Sequence, residues 1–512
     1  MVELAAADKP LGGPAPGTVR EPSEDPVPAS SAGRLARWSI PAVPALAAIL
    51  VALYGLDRRQ LWRDEIATWV ASTKSLRGLQ DLVEGTDAVI APYYLLMHGW
   101  IAVFGDSEVS LRMPSLLAVA LAAALTAAIG RKLFGPATGM FAGLLVAVVP
   151  TISRYAQEAR PYALAAAATV LGTLLLLRAA ERPSWLRWLA YASVVTVAGL
   201  MHLVALLLLL AHLVYVVSLR DTKVTARWFA AAATGVLPVL PVAWVGLDQA
   251  GQVGWIPEAT WDSTINEMAR VTGSIPVGAM ILGLAVLGAC TLGRRGSLLG
   301  TWAIAPFFVL LLISPVAALL IHRYVLFTVP AWCLLAVATV ARQAETQRNI
   351  AAPRWRQQML PAMLVLLCAA LGLPAHASNR EIVASGEPDL RGAVAVITAE
   401  AAANDAIAFH AKYPTRLRDG VDYYLGRAGR RSLPTVFTAW PGGAPAFPRH
   451  CKGGAECLRS AERLWLISTS TADDQRSGVH PSLEKPLGAL EPVRVVKLTG
   501  VTLSLWRSAP AA

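Results

Sequence analysis

The stretch Ala91-Pro92-Tyr93-Tyr94-Leu95-Leu96-Met97-His98-Gly99-Trp100-Ile101-Ala102-Val103-Phe104 decides how the chain is threaded. Apolar runs flank it on both sides, at 39–56 and 110–130, and continue at 136–151, 161–178, 187–201, 203–219, 228–246, 276–293, 298–317, 324–341 and 358–374. Runs of roughly 20 apolar residues are the signature of membrane-spanning helices. If 91–104 also crosses, the clusters Arg131/Lys132, Arg178/Arg182/Arg187, Arg220/Lys223/Arg227 and Arg294/Arg295 all face away from Arg34 and Arg37. That arrangement runs against the positive-inside bias at nearly every turn. As a helix its 14 residues rise only about 21 Å, short of a hydrocarbon core of about 30 Å. Laid along the outer interface instead, the segment brings every one of those clusters inside, together with Arg342, Arg348, Arg354 and Arg356. The expectation is therefore about eleven spans in an all-α polytopic protein of the plasma membrane, with an outer juxtamembrane helix, the N-terminus cytoplasmic and the C-terminal region outside.

Composition agrees with this reading. The 512 residues are 55% hydrophobic and only 15% charged, with a mean hydropathy of +0.50; soluble proteins carry about 25% charged residues. A compact soluble enzyme is excluded. The net charge of +11 and pI of 9.6 follow from arginine in inner loops, so no nucleic-acid partner is expected.

Three domains are expected. Residues 1–33, rich in Pro, Ala and Gly, read as a disordered cytoplasmic tail. Residues 34–374 form the membrane domain, and 375–512 a small α/β extracytoplasmic domain. In the last, Leu390–Ala403 reads as an amphipathic helix, and Asp405–His410, Arg463–Ser468 and Arg494–Trp506 as strands. Cys290, Cys333 and Cys368 read as small packing residues, while Cys451 and Cys457 are spaced for a disulfide if that region is exported.

Under this topology the polar residues gather on the outer face. Asp64 and Glu65 follow the first span, flanked by Trp62 and Trp69. Neighbours on a helix point about 100° apart, so one carboxylate faces a cavity while the other orders the loop. Partial desolvation at a membrane boundary suits a carboxylate to accept a proton; the plainer reading is a solvated loop acid beside interfacial tryptophans. Arg112 opens the second span, and the next outer loop reads Ser153-Arg154-Tyr155-Ala156-Gln157-Glu158-Ala159-Arg160-Pro161-Tyr162. His202 and His322-Arg323-Tyr324 lie at later outer turns. Arginines converging from separate helices point to a phosphate, which guanidinium groups bind through paired hydrogen bonds; otherwise each reaches singly to lipid headgroups. No cluster has the spacing of a metal site, and no metal or other cofactor is expected.

These same residues resemble the GT-C membrane glycosyltransferases. The likeness rests on Arg63-Asp64-Glu65, Ala91 to Trp100, Phe104-Gly105-Asp106-Ser107-Glu108 to Arg112, Tyr155 to Tyr162, Met201-His202 and Arg323-Tyr324, in order over roughly residues 40–345. The branch is similar to bacterial relatives of protein O-mannosyltransferase and of the lipid A aminoarabinose and galacturonic acid transferases. Leu390-Arg391-Gly392 and Asp422-Tyr423-Tyr424 carry the likeness into the tail. The chain departs from the pattern at Val89-Ile90-Ala91-Pro92, where relatives have His-Pro-Pro-Leu, and at His202-Leu203, where many have His-Tyr. The resemblance implies inverting transfer of a sugar, a mannose-like pentose or hexose, from a polyprenyl-phosphate donor to a lipid, glycan or protein acceptor. It implies Asp64 as general base beside Glu65, with Arg112, Arg160 and Arg323 holding the donor phosphate and Tyr93, Gln157, Glu158, His202 and Tyr324 contacting substrate. The competing readings are a transporter or lipid flippase with an exported accessory domain, which would need repeated halves and midplane charges, and an anchored receptor.

Overall fold

A computed structural model describes residues 31–346, 354–402, 405–409, 414–429, 435–436, 450–451, 463–469, 487–488 and 490–508. The expected tail at 1–33 and the residue Cys457 lie almost wholly outside these. Residues Ile40–Ala512 make one compact unit. Among the described residues, six helices are long and apolar enough to cross a membrane, or eight if each of two bent pairs is one span. Three shorter apolar helices, Ser39–Leu53, Trp185–Met201 and Leu203–Ser218, fall on other runs expected to span. Ala88–Phe104 falls on the juxtamembrane segment, with Tyr93, Tyr94 and Met97 buried and Leu95, Leu96, Val103 and Phe104 exposed. The chain is a multi-pass membrane protein.

Both bends have local causes. The helix Pro136–Val148 stops at Val149 because Pro150 forces the residue before it out of the helical region, and the next helix, Pro150–Ala156, leaves at 65°. The helices Trp261–Arg270 and Ile275–Thr291 meet at 102°. Gly273 makes that corner with φ +75°, and a Cβ there would lie 2.5 Å from Thr151 Oγ1. Small residues also let the helices at Glu108–Phe134 and Pro136–Val148 touch: a Cβ on Gly139 would meet Ala127 O at 2.4 Å.

After the last apolar helix, Arg354–Ser378, the described residues form the helix Leu390–Glu400 and a sheet of six strands. Its strands are β1 (Asp405–Phe409), β2 (Thr435–Val436), β3 (His450–Cys451), β4 (Arg463–Ser468), β5 (Leu490–Leu498) and β6 (Val501–Ser508), in the order β3-β2-β1-β4-β6-β5. The first four are parallel and the last two antiparallel. Buried Asp405 is held by Arg463 Nε at 2.8 Å and Trp465 Nε1 at 2.9 Å. The run expected as a strand from Arg494 to Trp506 is instead a hairpin, turned at Gly500 with φ +66°. A further helix, Pro414–Arg427, went unread in the sequence. Cys333 and Cys368 are buried as expected of packing residues, whereas Cys290 is exposed on its helix.

This C-terminal region grips the first loop of the membrane portion. The Tyr424 hydroxyl accepts from Leu61 N at 2.8 Å and donates to Glu108 Oε1 at 2.6 Å. Gln60 Nε2 donates to Pro388 O at 2.6 Å, and Gln60 Oε1 accepts from Leu390 N and Arg391 N, both at 3.1 Å. Arg391 adds an ion pair to Glu108 at 2.5 Å.

Candidate active site

The helix Arg63–Ser72 begins just past that gripped loop, with Asp64 and Glu65 in its first turn, where the exposed N–H groups favour negative charge. The two carboxylates diverge. Glu65 is buried and accepts from Arg112 Nε at 2.9 Å, Arg112 Nη2 at 2.8 Å and Ala159 N at 2.9 Å. Asp64 stays 23% exposed, with Oδ1 3.6 Å from Arg63 Nε and Oδ2 3.7 Å from Arg323 Nη1.

In place of the expected phosphate contact, Arg112 is turned wholly inward. Besides Glu65, its N–H groups donate to Leu56 O at 2.7 Å, Arg59 O at 2.9 Å and Gln60 O at 3.2 Å, so every donor of the guanidinium has a protein acceptor. Three residues expected to touch substrate are also buried, two of them engaged in the scaffold. Gln157 Nε2 donates to Ala52 O at 2.7 Å and Tyr54 O at 2.9 Å. Glu158 is buried and pairs with Arg154 at 2.9 Å. Tyr93, on the helix Ala91–Phe104, is fully buried, and its hydroxyl has no hydrogen-bond partner.

Arg160, Arg323, His202 and Tyr324 do come together near Asp64. Arg323 lies 14% exposed beside the rings of Trp255, Tyr324 and Trp62, at 5.2, 5.8 and 5.9 Å. Arg160 Nη1 is 3.5 Å from Asp64 O, and its guanidinium lies 5.9 Å from the Tyr162 ring. The Nε atoms of both arginines are buried without a hydrogen-bond partner, an uncommon condition for a charged donor. The His202 ring packs 4.8 Å from Tyr324 and 5.5 Å from Tyr162, and its Nδ1 accepts from Val204 N at 3.3 Å. That bond assigns the ring proton to Nε2.

Arg160, Tyr162, His202 and Tyr324 form the polar end of a cavity of about 380 Å³ whose other walls are mostly apolar, among them Met201, Leu203, Val204, Leu247, Val316 and Leu319, with Gln249 and Gln252 as polar exceptions. Sequence reasoning missed Trp255, Arg63 and Glu387. Arg63 Nε sits 3.8 Å from Glu387 Oε1, and only the fold brings those two together. Among the described residues no three His, Cys, Asp or Glu side chains gather as a metal site would require.

Residues 91–244 match the family described as dolichyl-phosphate-mannose-protein mannosyltransferase, PMT_2. In fold the chain is similar to ArnT from Cupriavidus metallidurans in its apo state, at 15% identity and a TM-score of 0.61, covering 92% of this chain and 98% of that one. The same protein bound to undecaprenyl phosphate gives 15% identity, a TM-score of 0.58 and the same 92% and 98% coverage. The Archaeoglobus fulgidus oligosaccharyltransferase, tethered to an acceptor peptide, gives 12% identity and a TM-score of 0.46 over 75% of this chain and 63% of that one. No curated protein matches in sequence. By the matched segment and by a fold shared over nearly its whole length, the chain resembles the GT-C membrane glycosyltransferases.

Proposed function

We propose that the protein transfers a mannose-like hexose or pentose from a polyprenyl-phosphate donor to an acceptor hydroxyl at the outer face of the plasma membrane, with inversion. The observation that carries this reading is the pair of arginines flanking Asp64: each has a buried Nε without a partner, and Arg160 lines an apolar cavity. A prenyl chain matches the apolar walls, and a phosphate matches the cationic end. The ArnT likeness, which includes a structure with undecaprenyl phosphate, points the same way.

In this mechanism Asp64 takes the proton of the acceptor hydroxyl as its oxygen attacks the anomeric carbon. The transition state has oxocarbenium character. The bond that breaks joins that carbon to the phosphate oxygen, and the departing phosphate keeps the electron pair. Because a phosphate already leaves as an anion, no general acid is required; Arg160 and Arg323 stabilise the developing charge. Tyr324 and His202 stand where the sugar would lie. Glu65 and Arg112 hold the base in place and make no contact with substrate. The membrane domain, residues 34–374, carries the chemistry, and residues 375–512 stand outside the cell with the N-terminus within, as the basic clusters of the inner loops support.

The test is transfer of label from polyprenyl-phosphate sugars, mannose first, to a membrane extract by purified protein, with Asp64→Asn alongside. Transfer by wild type and none by the variant is the expected result. Undiminished transfer by Asp64→Asn removes the base assignment. No binding or turnover of any such donor sinks the transferase reading.

A further inference from the structure

The two oxygens of Asp64 have different neighbours: Oδ2 lies 3.7 Å from Arg323 Nη1, and Oδ1 lies 3.6 Å from Arg63 Nε. Arg63 is also a wall of a second cavity, of about 290 Å³, between the first loop and the C-terminal region. Glu387 lines the same cavity, its Oε1 3.8 Å from Arg63 Nε.

The second cavity differs in chemistry from the first. Arg63, Glu387 and the Thr469 hydroxyl are its polar lining, beside Gln60, whose amide is already bonded to Pro388, Leu390 and Arg391; Leu61, Ile66, Pro388, Leu390 and Leu417 make apolar walls, and Gly386 and Gly500 complete it. Gly500 is held there by space, since a Cβ would lie 2.9 Å from Glu387 O. We infer that this cavity is the acceptor site and that it takes a hydroxyl-rich carbohydrate end, held by the adjacent Arg63 and Glu387 together.

The inference rests on the transferase reading, in which a base needs the donor on one side and the acceptor on the other. Sugar hydroxyls both donate and accept, and so satisfy a carboxylate and a guanidinium together. An acyl chain in the same place would take both charges out of water and return no hydrogen bond, which is costly. The volume equals that of roughly ten waters at ~30 Å³ each, room for one or two rings and too little for a folded peptide segment. Burial raises the Glu387 carboxyl above its ordinary range, with Arg63 opposing and Asp64 reinforcing, so a hydroxyl donor would relieve a desolvated acid.

Full-length protein in nanodiscs, examined by native mass spectrometry, tests this. Three probe pools from one cell envelope are offered: oligosaccharides, tryptic peptides and extracted lipids, with undecaprenyl phosphate offered separately. Wild type and Asp64→Asn should retain oligosaccharides, and Glu387→Gln should weaken that retention at least tenfold while holding undecaprenyl phosphate as wild type does. If Glu387→Gln lowers the melting temperature, Thr469→Val in the same cavity serves in its place. Preferential retention of peptides or lipids overturns the inference. So does retention of oligosaccharides by Glu387→Gln, or by Thr469→Val in its place, equal to that of wild type, or retention of none by wild type. Oligosaccharides retained without undecaprenyl phosphate would sink the donor assignment and leave the carbohydrate site standing.

Discussion

Arg112 and Glu65 meet as a two-pronged ion pair that is shut away from solvent, Nε to Oε1 at 2.9 Å and Nη2 to Oε2 at 2.8 Å. The pair joins the span Glu108–Phe134 to the helix Arg63–Ser72, and thereby fixes the direction in which the next-door Asp64 points. Breaking a buried pair by removing one partner costs ~3–5 kcal/mol, because the other charge is left stranded. Glu65→Gln should therefore lower the melting temperature in detergent strongly, whereas Asp64→Asn should leave it within a degree or two of wild type. Differential scanning fluorimetry separates the two.

Arg160 and Arg323 should behave in the opposite manner. Arg323→Gln keeps a polar side chain among Trp62, Trp255 and Tyr324 but removes the charge. We expect undecaprenyl phosphate to bind at least tenfold more weakly, since a charge-assisted bond contributes ~1.5–3 kcal/mol, with the melting temperature little changed. Isothermal titration calorimetry in nanodiscs measures the first, and equal affinity would remove Arg323 from the donor site.

Tyr424→Phe deletes one hydroxyl that serves both Leu61 N and Glu108 Oε1. Leaving buried polar groups unsatisfied costs ~1–3 kcal/mol. Hydrogen exchange at 56–65 should quicken by an order of magnitude or more, while exchange in the span Tyr162–Glu181 should not move.

Much of this fold could be read from the sequence because a bilayer needs long apolar runs: each of the eleven expected runs falls on helical segments, of which six, or eight with the bent pairs, are long and apolar enough to cross among the described residues. The bends at Val149 and Gly273 could not be read so well, since hydropathy is continuous across the first and the polar helix Trp261–Arg270 precedes the second. The helix Pro414–Arg427 escaped because its few apolar residues, Leu417, Val421 and Leu425, are set among charges. For the site, the position of Arg160, His202, Arg323 and Tyr324 at the ends of spans made their convergence legible. What spacing cannot tell is which arginine has its donors taken by a neighbour, and so Arg112 read like the others. Arg63 and Glu387 are far apart in the chain, and their meeting is a product of the C-terminal region docking.

Acidity should act on that docking through Asp419. Burial pushes its carboxyl up to about 6, with Arg418 opposing and Asp422 reinforcing. A carboxyl raised in the folded state favours the protonated form, so its contribution is full below about pH 4 and fades as pH rises through about 6. Protection of Leu417–Arg427 against hydrogen exchange, measured as the rate relative to the intrinsic amide rate at each pH, should accordingly be greater at pH 4.5 than at pH 7. Asp419→Asn, which cannot ionise, should flatten that difference; a slope that survives the substitution would place its origin elsewhere.

The bond from Gln60 to Pro388 closes over a sequence separation of 328 residues. Its meaning is one of timing. A ribosome that has delivered the first loop has hundreds of residues still to make before the groups that order that loop exist. The loop at 56–61 gains these bonds only when the rest of the chain has been threaded and its tail folded back upon it. In a half-made copy that loop would lack them, while the Glu65–Arg112 pair that orders the following helix is already within reach.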